Sequence, residues 1–140
     1  MVLERFDDMK FIIITNNPKI YEKYNGSLEI EYLENKSHFD VLIYTRDKIH
    51  MGHKLLSHPL SGSVKPNETP YKSILISEKK EKMDIDSLIL IENSISTYEK
   101  FQNISKVPNW NEQVLDDFMV VDLSLIENTL NNIEFTEIID

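Results

Sequence analysis

Cysteine is absent from the 140-residue chain, which excludes disulfides, thiolate catalysis and zinc–thiolate sites. Long apolar runs are missing as well. The longest, Phe11–Ile14, Leu88–Ile91 and Phe118–Val121, fall far short of the roughly 20 residues that cross a bilayer. Met1 to Lys10 holds Glu4, Asp7 and Asp8 and no apolar signal core, so no secretion is expected and a cytoplasmic location follows by default. Basic residues are scarce: 15 Lys and Arg stand against 24 Asp and Glu, a net charge of −9. That balance disfavours nucleic acid and anionic membranes as partners, since phosphate binding depends on surplus cations. No Gly-Lys-Ser/Thr ending marks a Walker loop, and no repeat or low-complexity segment is visible.

What is present suits one soluble domain with a single core: 41% hydrophobic and 28% charged residues in 16.5 kDa. Lys10–Thr15 is a β-branched run short enough for a buried strand. Asn17 and Pro18 then suit the cap and first turn of a helix that ends at Asn25-Gly26. Leu28–Tyr32 alternates as a half-exposed edge strand does. Ser37 suits the cap of a second helix, with Phe39, Leu42, Ile43, Arg46 and Ile49-His50 along one face up to Gly52. Lys54–Ser57 reads as a third strand and Ser73–Ser77 as a fourth. Asp84 or Asp86 opens a long helix with Ile85, Leu88, Ile89, Ile95, Tyr98 and Phe101 at helical spacing. Pro108 ends that segment. Trp110–Asp117 reads as a further helix, and Asp122 as the cap of a last one whose Leu123, Ile126 and Leu130 pack on the sheet. A homodimer through that acidic helix is the open alternative. Met119–Val121 fits either a short strand or helix. This order implies a small three-layer α/β/α domain with a mainly parallel four-stranded sheet, order 2-1-3-4, and a helical C-terminal part.

In such a sheet the winding reverses between the first and third strands, and ligands bind beyond the strand ends at that switch. The groups expected there are Thr15, Asn16 and Asn17 from one segment and the polar run from Ser57 to Lys72 from the other. The run is rich in proline and hydroxyl groups, too polar to close a core and too long for a plain connection. Its expected ligand contacts are Ser57, His58, Ser61, Gly62, Ser63, Lys65, Asn67, Thr69, Tyr71 and Lys72. Ser61-Gly62-Ser63 suits a backbone nest around a small anion, with Lys65 and Lys72 adding charge. From Asn35 to Ser77, six basic residues face three acidic ones, the reverse of the chain's overall balance. His58 is the one candidate acid/base, although no orienting carboxylate accompanies it. His50, His53 and His58 lack the convergent third ligand and carboxylate shell that zinc needs, so neither a metal nor another cofactor is expected.

Three segments carry a family resemblance: Ile14–Pro18, Arg46–Leu56 and Ser57–Ser73. They resemble the GrdX family, small proteins encoded with glycine, sarcosine or betaine reductase systems of amino-acid-fermenting anaerobes. Asp122–Ile126 is similar to the family's C-terminal part, and Ser57 stands where a threonine is expected, keeping the hydroxyl. The resemblance implies an accessory or regulatory role beside a reductase that makes acetyl phosphate, with a small anionic metabolite or the reductase components as partners. It implies no particular reaction. Without cysteine this chain is not itself a redox-active reductase subunit. The alternative is a small enzyme acting on a phosphate- or carboxylate-bearing metabolite through His58.

Overall fold

A computed structural model describes residues 10–60 and 65–132 in full and the backbone of 133–139. The expectations placed on Met1–Met9 and on the Ser61-Gly62-Ser63 nest lie outside these residues. The described elements are β1 (Phe11–Thr15), α1 (Pro18–Tyr24), β2 (Ile30–Tyr32), α2 (His38–His50), β3 (Ser73–Ser77), α3 (Ile85–Ile104) and α4 (Glu112–Ile139).

The sheet has three strands in the order β2-β1-β3, which corrects the expected four-stranded, mainly parallel sheet of order 2-1-3-4. β1 runs parallel to β2, pairing Thr15 with Tyr32, and antiparallel to β3, pairing Thr15 with Ser73 and Phe11 with Ser77. The Lys54–Ser57 segment does not enter between β1 and β3. It lies on the outer edge of β3, reduced to a single bridge between Leu55 and Ile76. The reason is local. Side-chain hydroxyls take up the backbone donors that a ladder would use: Lys54 N donates to Ser77 Oγ, Leu55 N to Ser87 Oγ, and Leu75 N to Ser57 Oγ.

Strand alternation divides the core. Ile12, Ile14, Ile74 and Ile76 face α2 and α3, joining Val41, Leu42, Ile49, Ile91, Ile95 and Tyr98. Ile13 and Leu75 face the other way, against Ile20 of α1 and Ile126 of α4. Each fully buried aliphatic side chain contributes about 1.5–3 kcal/mol, so these two apolar layers hold the helices to the sheet. The buried face of α3 is Ser87, Ile91, Ser94, Ile95 and Tyr98; Ile85 and Ile89 of the expected face are exposed.

Helix ends follow their caps. Asn17 accepts from Lys19 N with Pro18 behind it, Ser37 and Asp40 form a reciprocal capping box, and Asp84 accepts from Ser87 N. The helix expected over Trp110–Asp117 begins at Glu112 and runs without a break past Asp122 as α4, so Asp122 is no cap. It lies within the helix, at an apolar spacing between Phe118 and Ile126.

Gly52 closes α2 with φ +109°, and a Cβ there would stand 2.2 Å from the Glu81 carbonyl oxygen. Gly26 has φ +100° but open space around it. Gly52→Ala is therefore expected to destabilise the fold by about 2–4 kcal/mol and Gly26→Ala by about 1–2 kcal/mol. Urea unfolding of the two variants checks this; equal losses would contradict the close approach.

Candidate functional site

At the carboxyl end of β1, Thr15 and Ser73 sit opposite each other, on the sheet face that α4 covers. Asn17 N donates to Thr15 Oγ1 at 2.9 Å. Ser73 donates its one hydroxyl hydrogen to Asp122 Oδ2 at 2.7 Å. The Thr15 hydroxyl is therefore the donor to Ser73 Oγ, 2.6 Å away. Asn17 Nδ2 donates to the same carboxylate oxygen at 3.0 Å and to the Met119 carbonyl at 2.9 Å. The chain of donors runs one way and ends on a carboxylate 5% exposed. Burial pushes the Asp122 pKa up, while Ser73, Asn17 and the charge of Lys72 pull it down.

Asn16 works between other segments. Its Nδ2 donates to the carbonyls of Lys36 at 2.9 Å and Pro70 at 2.8 Å, and its Oδ1 accepts from Lys72 N at 2.9 Å. One amide thus fixes the approach to α2 and the approach to β3 against the end of β1.

His38, the first residue of α2, is 2% exposed. Its Nδ1 donates to the Thr69 carbonyl at 3.2 Å. Burial, and then the charge of Lys72, lower its pKa to about 4, so the ring is neutral at pH 7 with a lone pair on Nε2. That Nε2 is buried and has no hydrogen-bond partner. Lys72, 6% exposed, has its own pKa lowered by burial and raised by Asp122. A buried cation, a buried carboxylate and a buried neutral imidazole thus share one neighbourhood, the kind of grouping that marks functional sites more often than plain cores.

Two hollows open beside these groups, with His38 and Tyr71 as common walls. The smaller, about 20 Å³, is lined by polar Thr69, Lys72 and Asp122 and by apolar Leu60, Phe118 and Leu125, which is room for about one water. The larger is an open cleft of about 560 Å³ beyond the ends of β1 and β2, with Asn16, Tyr32, Lys36, Ser37, Tyr98 and Met119 in its walls. Lys36 is the one formally charged residue among the described residues that line it.

Of the residues expected from sequence, the fold brings together Thr15, Asn16, Asn17, Thr69, Tyr71 and Lys72. The others lie apart. Ser57 caps the edge of β3, accepting from Leu75 N. His58 is exposed, with Nδ1 accepting from Leu60 N at 3.0 Å. Lys65 and Asn67 line a separate hollow with Phe101 and Trp110, where Asn67 Nδ2 donates to the Ser105 carbonyl. Of the other two histidines weighed for a metal, His50 is exposed and His53 is buried with Nδ1 donating to the Ser77 carbonyl at 2.7 Å. Among the described residues no group of three or more His, Asp or Glu could hold an ion, and no helix is long and apolar enough to cross a membrane.

Sequence reading missed His38, Ser73 and Asp122 as site residues. Asp122 had a signal: a carboxylate four positions after Phe118 and four before Ile126 occupies the apolar stripe of an amphipathic helix. His38 carried a weaker one, three and four residues before Val41 and Leu42.

Fold and site together define a small α/β protein whose ionisable residues gather beneath a crevice at its parallel strand ends. The chain belongs to the GrdX-like protein family, whose family model matches residues 12–131, a span that holds the whole site from Thr15 to Asp122. At family level this associates it with glycine-reductase-type systems. No curated protein and no solved structure matches it.

Two outcomes test the site. Asp122→Ala leaves Ser73 without its acceptor and is expected to cost about 2–4 kcal/mol, Asp122→Asn clearly less because one oxygen remains; equal losses in urea unfolding would contradict the hydrogen-bond account. His38 titrates in the unfolded chain near its ordinary 6.5 but folded only at about 4. The unfolded state therefore binds the proton first, and stability contributed by His38 is full above pH 6.5 and lost as pH falls to 4. The loss is about 3 kcal/mol. His38→Gln should flatten the pH dependence of unfolding free energy across that window, and an unchanged slope would contradict the burial.

Proposed function

We propose that this protein is an accessory or regulatory component of an amino-acid reductase system of the glycine, sarcosine or betaine type. In this reading it binds a small anionic ligand, or a reductase subunit, where the Thr15–Asn17 and Ser57–Lys72 segments meet. The supporting observation is the 560 Å³ cleft itself, whose one formally charged wall residue is Lys36 in an otherwise acidic protein. A single cation beside the start of α2 favours an anion, because the helix end adds partial positive charge. Asp40 in the first turn of α2 weakens that field, which favours a ligand of low charge.

The donors first assigned to the ligand take a different role in this reading. The amide of Asn16 and the polar atoms of Thr15 and Asn17 are engaged within the protein, so they shape the cleft and do not contact the ligand. Lys36, Tyr71 and the wall formed by His38 do. Catalysis through His58 draws no support from this geometry, since its exposed ring is not among the residues lining the cleft.

Thermal shift with phosphate, acetyl phosphate, acetate and glycine tests the ligand half. A ligand at 100-fold its Kd is expected to stabilise the fold by about 2.7 kcal/mol, a rise of several degrees in Tm. Lys36→Ala is expected to remove the rise. Absence of any shift, together with failure to capture purified reductase subunits, would overturn the proposal; capture without a shift would leave the docking role alone.

A further inference from the structure

The cleft holds a hydroxyl donor that the fold itself leaves unused. Tyr98, on α3, is 6% exposed and lines the cleft. Its ring packs against His38 and Phe39 of α2, with centroids 4.8 and 5.8 Å apart. Among the described residues its hydroxyl has no hydrogen-bond partner, yet it is not one of the atoms closed to solvent. In a ring so deeply buried, the hollow it lines is where that hydroxyl meets solvent. Burial, and then the charge of Asp40, raise the Tyr98 pKa, so the group stays a neutral phenol and can donate.

Carboxylates stand around this donor. After burial, Glu34 raises the pKa of Tyr32 and Asp116 that of Tyr71, the two other tyrosines of the cleft. Asp116 is paired with Lys19 at 2.9 Å, but Asp40 and Glu34 have no ion-pair partner among the described residues. Lys36 therefore attracts one negative charge, and the two carboxylates oppose a second.

We propose that Tyr98 is a ligand-binding, specificity-determining residue of the cleft, whose hydroxyl donates to an oxygen of a singly charged oxyanion, a carboxylate or a phosphodiester. The inference rests on the anion-binding reading above and deepens it. Lys36 supplies charge and draws in any small anion, whereas Tyr98 reads an acceptor oxygen. Its ring is already held by His38 and Phe39, so little freedom is lost on binding. Removing the hydroxyl breaks no hydrogen bond within the protein, which separates binding from folding.

Isothermal titration of the full chain compares acetate with malonate and dimethyl phosphate with methyl phosphate, in mildly alkaline buffer where the second of each pair carries two charges. Acetate, dimethyl phosphate or both are expected to bind, and the tighter of the two identifies the oxyanion. Tyr98→Phe is expected to weaken that binding about tenfold or more while its urea midpoint stays at the wild-type value. Each doubly charged ligand is expected to bind more weakly than its singly charged partner, and Lys36→Ala to weaken every anion. If the singly charged ligands bind Tyr98→Phe as tightly as the wild type, or that variant unfolds at lower urea, the Tyr98 inference fails while the anion reading stands. A doubly charged ligand that binds as tightly as its partner overturns the charge selectivity. If none of these ligands binds, the anion reading fails as well.

Discussion

The fold depends on how one buried carboxylate is satisfied. Asp122 projects from the middle of α4 into the sheet and receives donors from Ser73 on β3 and Asn17 at the cap of α1. An isolated buried charge would cost far more than the fold can spare. Its donors are held in place by their own commitments: Ser73 gives its one hydroxyl hydrogen to Asp122 and accepts from Thr15, whose oxygen accepts from Asn17 N. Three elements meet at that oxygen. The apolar contacts of Ile126 with Ile13 and Leu75 would hold α4 near the sheet, but they do not set its position along the strands. Asp122 does.

That junction also determines what lies above it. Because Thr15 and Asn17 turn toward α4, Asn16 between them turns the other way and ties Lys36, Pro70 and Lys72 together. The cleft floor is therefore built of engaged backbone and amide groups, and its chemistry comes from Lys36, His38 and the tyrosines. Lys72 and Asp122 lie beside the smaller hollow, with opposite charges that moderate each other: each pulls the other's pKa back toward its ordinary value while burial pushes both away from it. A neutral imidazole next to a lysine completes an arrangement with few net charges and several strong dipoles, suited to a small polar ligand.

Much of this was legible in the sequence. Asn17, Ser37 and the pair Asp84 and Asp86 announced three helix starts, with Asp84 the residue that caps, and β-branched runs announced β1 and β3. Sequence reading placed the first part of the polar run, Ser57 and His58, beside Thr15–Asn17; because β3 runs antiparallel to β1, the last part, Thr69–Lys72, arrives there. The sheet order was not legible, because Lys54–Ser57 and Ser73–Ser77 are equally apolar segments. Only the competition of Ser57, Ser77 and Ser87 for backbone donors turns the first into an edge bridge. Asp122 was misread as a cap because an aspartate after an apolar run has that meaning locally. Its real role depends on Ser73, 49 residues away. His38 was hidden by Ser37, whose capping signal accounted for the local pattern.

The central claim is that the cleft at the strand ends, and not the exposed His58 turn, is where this protein meets a small ligand. A crystal structure of the protein soaked with acetate or glycolate tests it most directly. The account predicts ligand density against Lys36 and the His38–Tyr71 wall. Density confined to the His58 turn, or an empty cleft at saturating ligand, would contradict it.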